Sequence, residues 1–208
     1  MSVFITFEGV EGSGKSLQSR RLSRKLEAAS VPVVHVHEPG STPLGEKLAR
    51  LLKLGPEVAP LSELLMFNAA RAELVEKVVR PALAQGKVVV CDRFTDSTIA
   101  YQGYARGLDL AIVREINEIA TGGLRPDLTV LLDVPVAEGL ARKRGKHGDR
   151  FEQERRSFHE KVRQGYLELA RREPRRFLTI DGLQGKSVIA GAVWRRISEL
   201  LARAKVTG

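Results

Sequence analysis

Gly9-Val10-Glu11-Gly12-Ser13-Gly14-Lys15-Ser16 follows the β-branched and aromatic run Val3-Phe4-Ile5-Thr6-Phe7 and opens a segment with Leu17, Leu22 and Leu26 at helical spacing. The spacing G-x-x-x-x-G-K-S between a strand and a helix is the context that separates a phosphate-cradling loop from a chance glycine-rich turn. The glycines let successive N–H groups point inward at phosphate oxygens, and the helix N-terminus adds its dipole. Lys15 is expected to reach the β- and γ-phosphates and Ser16 to ligate Mg²⁺. The expected nucleoside triphosphate site is Gly9, Val10, Glu11, Gly12, Ser13, Gly14, Lys15, Ser16 and Leu17. A carboxylate cannot point into a triphosphate without strong repulsion. Glu11 therefore either turns toward a second ligand, such as a sugar hydroxyl or a metal-bound water, or is simply solvated.

Working outward, further strands are expected at residues 33–36, 87–91, 128–133 and 176–180, alternating with helices. The helices are expected at residues 15–29, 43–54, 60–79, 97–101, 110–120, 152–172 and 186–202, with a further one opened by Pro135. Pro81 is expected to interrupt the long helix, and residues 103–107 read as a turn. Strands alternating with helices imply an α/β fold with a five-stranded parallel sheet flanked by helices on both faces. No repeat, linker or boundary divides residues 1–208, so one domain is expected.

The 208 residues suffice for one such domain, and a hydrophobic fraction of 43% with 28% charged residues is ordinary for a soluble protein. No apolar run has the roughly 20 residues of a membrane span. The N-terminal apolar run leads into the phosphate loop, without a preceding basic stretch or a cleavage site. Cys91, the single cysteine, follows three valines and reads as a buried small hydrophobe. The expectation is a cytoplasmic protein without a membrane partner. The net charge is +9, and residues 142–176 hold 13 Lys/Arg against 6 Asp/Glu. That excess fits a solvated helix face, a nucleic-acid patch or a cationic lid over phosphates.

A second substrate has candidate residues at the same sheet edge, where ligands of open α/β sheets bind. Glu38 and Pro39 end the second strand. Phe67 and Arg71 lie four apart on one helix, so they share a face. They could stack on a base and bond its edge, or be a core Phe beside a surface Arg. Asp92 and Arg93 end the third strand, fitting either an Mg²⁺ site beside a monophosphate clamp or a strand-end ion pair. Ser97, Thr98, Tyr101 and Gln102 offer polar and aromatic groups to the same cleft.

In order and spacing, FEGVEGSGKS (7–16), EPGSTPLGEKLAR (38–50), LLMFNAARAELV (64–75), VVVCDRFTDSTIAYQG (88–103), LRPDLTVLLDVP (124–135) and DRFE (149–152) resemble the thymidylate kinases over nearly the whole chain. The resemblance implies ATP·Mg²⁺-dependent conversion of dTMP to dTDP for dTTP synthesis, on a nucleoside monophosphate kinase fold with a mobile lid and usually a homodimer. It implies that Phe67 stacks on thymine, that Arg71 and Thr98 read its edge, and that Tyr101 packs by the deoxyribose. Glu11 meets the 3′-hydroxyl, Arg93 holds the acceptor phosphate, Asp92 with Ser16 serves Mg²⁺, and Gln102 and Tyr166 complete the pocket. Some members carry an arginine where this chain has Gly12; in members similar to this one the lid, here about residues 142–151, supplies that cation. Arg150 is the first candidate and Arg144 the second, beside Lys15 and Arg93. Where the family often has an arginine before Glu-Pro-Gly, this chain has His37, a weaker substitute. The resemblance implies small-molecule substrates and no nucleic acid. A kinase for another base, a DNA-stimulated ATPase and a non-catalytic nucleotide-binding protein are the rival readings.

Overall fold

The computed structural model describes residues 2–143 and 150–206. The chain runs β1 Val3–Glu8, α1 Lys15–Ala28, β2 Val33–His37, α2 Pro43–Leu54 and α3 Pro60–Leu74, followed by a π-helical turn Val75–Val79 and α4 Arg80–Ala84. It continues with β3 Val88–Asp92, α5 Thr95–Thr98, a second π-helical segment Ile99–Ala105, α6 Leu110–Thr121 and β4 Leu128–Asp133. The last elements are α7 Val136–Ala141, α8 Arg156–Arg172, β5 Phe177–Asp181 and α9 Lys186–Val206. The five strands form one sheet in the order β2-β3-β1-β4-β5, every pairing parallel.

Every residue of β1 is buried, as a central parallel strand covered on both faces requires. Alternate side chains divide between two cores. Val3, Ile5 and Phe7 join Leu22 and Leu26 of α1 and Ile189, Val193 and Ile197 of α9. Phe4 faces the other way, with Leu74, Val79, Val89 and Phe94. Register aligns Phe7 with Asp92, so the chain ends that follow β1 and β3 meet at one sheet edge.

One local expectation is sharpened and two are corrected. At Pro81 the expected interruption takes the form of a wider turn at Val75–Val79 just before it, and the last turn expected over residues 82–85 is α4, Arg80–Ala84. A π-turn absorbs the lost N–H and the ring's clash with the preceding turn. Residues 103–105 are helical rather than turn, within the second π-helical segment. Gly103 is there for close packing, since a Cβ would lie 2.5 Å from Leu110 Cδ2. Helix α8 begins at Arg156, not 152, and Phe151 lies in the preceding turn.

The sheet edge carries a buried carboxylate that ties these chain ends together. Glu8 accepts bonds from Phe94 N–H at 2.7 Å, Ser97 Oγ at 2.6 Å and Tyr166 Oη at 2.9 Å. Burial, reinforced by Asp96, pushes its carboxyl up to about 7. The folded state therefore holds a proton that the unfolded chain releases near the ordinary carboxylate value of 4.5. The resulting stabilisation is complete below that value and is lost as pH rises through about 7. Glu8→Gln should remove this dependence. In denaturant unfolding between pH 5 and pH 8, the wild type should lose stability relative to the variant; a pH-independent difference between them would refute the assignment.

Candidate active site

The loop after β1 takes the backbone shape its glycines permit. Gly9, Gly12 and Gly14 have φ of 148°, 71° and 92°, values that disfavour side chains. A Cβ on Gly9 would lie 2.6 Å from the carbonyl oxygen of Leu132, and one on Gly12 only 2.0 Å from that of Gly139. Helix α7 thus packs directly on the loop, and the backbone leaves no room for an arginine at position 12. Val10 turns into the core, 3% exposed, and Ser13 is buried as well. Lys15 lies along the loop, its Nζ donating to the Val10 carbonyl at 3.4 Å and standing 4.0 Å from Glu11. Burial and the nearby Arg93 lower the Lys15 ammonium, opposed by Glu11 and Asp92.

A cleft of about 390 Å³ extends from Lys15 and Ser16 to the side chains after β2 and β3. Arg93 sits at its centre, with a left-handed φ of 73°. It is a non-glycine residue in a sparsely populated region, as occurs where surrounding bonds over-determine a functional position. Its NH1 donates to Ser97 Oγ and Tyr166 Oη, both at 3.0 Å. Its NH2 donates to Tyr101 Oη at 3.1 Å and to Glu11 Oε1. Tyr101 Oη also donates to Glu11 at 2.9 Å. Glu11 is thus not a solvated loop residue. Burial would raise its carboxyl, but Lys15, Arg93 and the Tyr101 hydroxyl together hold it far below the usual range.

Asp92 is buried, and its Oδ1 has no hydrogen-bond partner among the described residues. An orphaned carboxylate oxygen is costly, and together with Ser16 on the same cleft wall it fits a hard divalent cation or its water shell.

Farther along the cleft stand Glu38, Pro39, Phe67, Ser97, Thr98, Tyr101 and Gln102. Arg71 lines the same end, but it is neither a surface arginine nor an unengaged donor. It is 1% exposed. Its Nε and NH2 pair with Glu38, its NH1 reaches Asn68 and Asn117, and NH2 also reaches the Phe94 carbonyl. All five N–H groups are used, so in this conformation Arg71 builds the pocket wall rather than offering a donor to a base. His37 turns to Ser41 and Glu46.

The lid expectations fare differently. Arg150 does not face the phosphate loop. Its NH2 donates to Glu63 at 2.7 Å, and it lines a separate pocket with Arg106 and Glu154. Arg144 lies outside the described residues. Residues of the lid segment and the DRFE motif to which the sequence reading assigned no individual role complete the cleft. Phe151 lies 5.7 Å from the Phe67 ring and 6.2 Å from that of Tyr101, and Lys143 and Glu152 line the same wall. Arg142 donates to the carbonyls of Gly12 and Gly182 at 3.2 Å. Glu8, directly before the loop, carried a signal that could have been read: a carboxylate ending a fully apolar strand needs buried donors.

Comparison with known proteins bears on the whole chain. A sequence model of the family described as thymidylate kinase matches residues 7–192. A thymidylate kinase of Dehalococcoides mccartyi is 49% identical over 203 residues, spanning 97% of this chain and 98% of that protein. One of Symbiobacterium thermophilum is 48% identical over 206 residues, spanning 98% and 96%. The crystal structure of thymidylate kinase from Ehrlichia chaffeensis superposes with a TM-score of 0.78 at 35% identity, over 94% of this chain and 98% of that one. With its phosphate loop, parallel sheet and acceptor-side cluster in place, the chain belongs to the thymidylate kinase family.

Proposed function

We propose that this enzyme transfers the γ-phosphoryl group of ATP to dTMP, giving dTDP for dTTP synthesis. The observation that carries the reading is a single cleft lined both by Lys15 and Ser16 and by the Arg93–Glu11–Tyr101 cluster with Phe67. Lys15 and the N–H groups of the loop hold the donor phosphates. Asp92 and Ser16 would hold Mg²⁺, which when bound supplies charge neutralisation across the phosphates. Arg93 holds the acceptor phosphate, and Glu11 accepts from the sugar 3′-hydroxyl. Tyr101 closes against the sugar, while Phe67 and Phe151 enclose the base. A phosphate monoester is already a nucleophile near neutral pH, so positioning and charge stabilisation suffice without a general base.

A lid cation then stabilises the transferring group. Arg150 is held away by Glu63, and its Nε and NH1 are buried without partners among the described residues. That contact favours an anchoring role for Arg150, and Arg144 becomes the first candidate for the cation. Exposed Leu51, Leu54, Leu61, Leu65, Ile112 and Ile119 on the neighbouring helices α2, α3 and α6 support a homodimer through that face. Among the described residues no helix is long and apolar enough to cross a membrane.

Lys15→Ala should lower kcat on the order of 10²–10³-fold with the circular dichroism spectrum unchanged; wild-type turnover would sink the mechanism. In a panel of dTMP, dUMP, dCMP, AMP, GMP and UMP with ATP·Mg²⁺, ADP release should be fastest with dTMP. Another preferred acceptor would refute the substrate and spare the kinase. Leu61→Glu should convert a dimer to monomer in sedimentation velocity, and a wild-type monomer at micromolar concentration would remove the dimer proposal.

A further inference from the structure

Glu63 has no part in phosphate chemistry, yet it is a charged side chain with no exposed surface. It sits in the first turn of α3 and collects four bonds. Gln102 Nε2 donates to Oε1 at 2.8 Å and Arg106 Nε to the same oxygen at 3.1 Å. Arg106 NH2 reaches Oε2 at 3.2 Å and Arg150 NH2 at 2.7 Å. Arg106 is itself shared with Glu154 at 2.6 Å. A buried carboxylate on a core-facing helix turn is expensive unless this fully paired, so it calls for an explanation beyond packing.

The explanation lies in what the carboxylate does to Gln102. A primary amide has two nearly isosteric ends, one donating and one accepting, and the network around it decides which end points where. A carboxylate clamped by two guanidinium groups can only accept. It therefore takes the Nε2 end, and Oε1 is the end left over. Gln102 lines the cleft, and its Oε1 has no hydrogen-bond partner among the described residues. The nearby Arg71 cannot supply one, because its donors are all engaged. The cleft wall beside Phe67 thus presents an acceptor with no donor of its own.

We infer that Glu63 is a positioning residue for acceptor choice: by holding the Gln102 amide with Oε1 toward the cleft, it selects pyrimidines that carry an N3–H donor over those whose N3 is an acceptor. This rests on the proposed nucleotide kinase reading and adds the feature of the base that is sensed. Thymine and uracil present N3–H. Cytosine presents a lone pair there, which would face the Oε1 lone pairs. A site built around such a bond rejects the mismatched ligand strongly, because the buried polar group is left unpaired. Arg106 and Arg150 both bond Glu63, so the charges act on the base through a neutral amide.

The test is the ratio of kcat/KM for dUMP to that for dCMP, since these two differ at the base edge and not in the 5-methyl group. Within one preparation the ratio is independent of the fraction folded. Glu63→Gln offers Gln102 a partner that can donate, which frees the amide to turn over. The ratio should fall about tenfold or more, chiefly through KM, while Glu63→Asp keeps it near the wild-type value. An unchanged ratio in Glu63→Gln overturns the inference. If that variant does not fold, Gln102→Leu, which leaves Glu63 with both arginines, serves instead: its ratio should fall, and an unchanged ratio overturns the inference equally. A wild-type enzyme that prefers dCMP, or phosphorylates neither, defeats the proposed function itself.

Discussion

The guanidinium of Arg93 joins the parts of this protein that have to move little relative to one another. It touches the phosphate loop through Glu11, the second π-helical segment through Tyr101, α5 through Ser97 and α8 through Tyr166. Each contact is charge-assisted or lies beside a charge, which makes it stronger than a neutral bond in a site this buried. The left-handed backbone at Arg93 is the cost of aiming one side chain at four elements. Glu8 offsets it from below, accepting from Phe94 N–H and from two of the hydroxyls that Arg93 also uses. This part of the cleft is therefore built as one hydrogen-bonded unit, and the phosphate loop is connected to it through Glu11.

The close approach of Gly12 to Gly139 has a different consequence. It brings α7 against the phosphate loop backbone. Arg142 follows directly and bonds the carbonyls of Gly12 and Gly182. A side chain at either glycine would push the helix off the loop. The missing arginine at position 12 and the nearness of α7 are thus two sides of one steric fact, since the space an arginine stem needs is occupied by backbone.

Much of this was legible from the residues. The loop, its flanking strand and helix, and the order of alternating elements follow from local patterns of apolar spacing and glycine. Ser97, Thr98, Tyr101 and Gln102 reach the cleft as their positions after the third strand suggested, and Phe67 reaches it from its helix face. What was not legible depends on pairings across the chain. Arg71 spacing suggested a base contact, but its partners Glu38, Asn68 and Asn117 come together only when α3, α6 and the end of β2 pack. Arg150 looked available for phosphate because the sequence around it is basic; its partner Glu63 is 87 residues away. The π-helical segments defeat periodicity for a simple reason: an extra residue per turn shifts every following side chain around the axis. That shift falls just where Tyr101 and Gln102 must face the cleft.

The distribution of charge along the cleft follows the same logic. On the proposed reading two polyanionic substrates call for cations, and Lys15, Arg93 and Lys143 line the wall. The base is uncharged, and a cation beside it would add attraction without discrimination, since every base offers lone pairs to a charge. Two further guanidinium groups are each paired with a buried carboxylate, Arg71 with Glu38 and Arg106 with Glu63. What lines the cleft beside them is a set of dipoles and rings: Thr98, Gln102, Phe67 and Phe151. Rigid dipoles tell a donor from an acceptor because reversing one partner turns attraction into repulsion, and the ion pairs behind them supply the rigidity. On the proposed reading, the buried carboxylates serve recognition by removing charge from the place where charge would be indiscriminate.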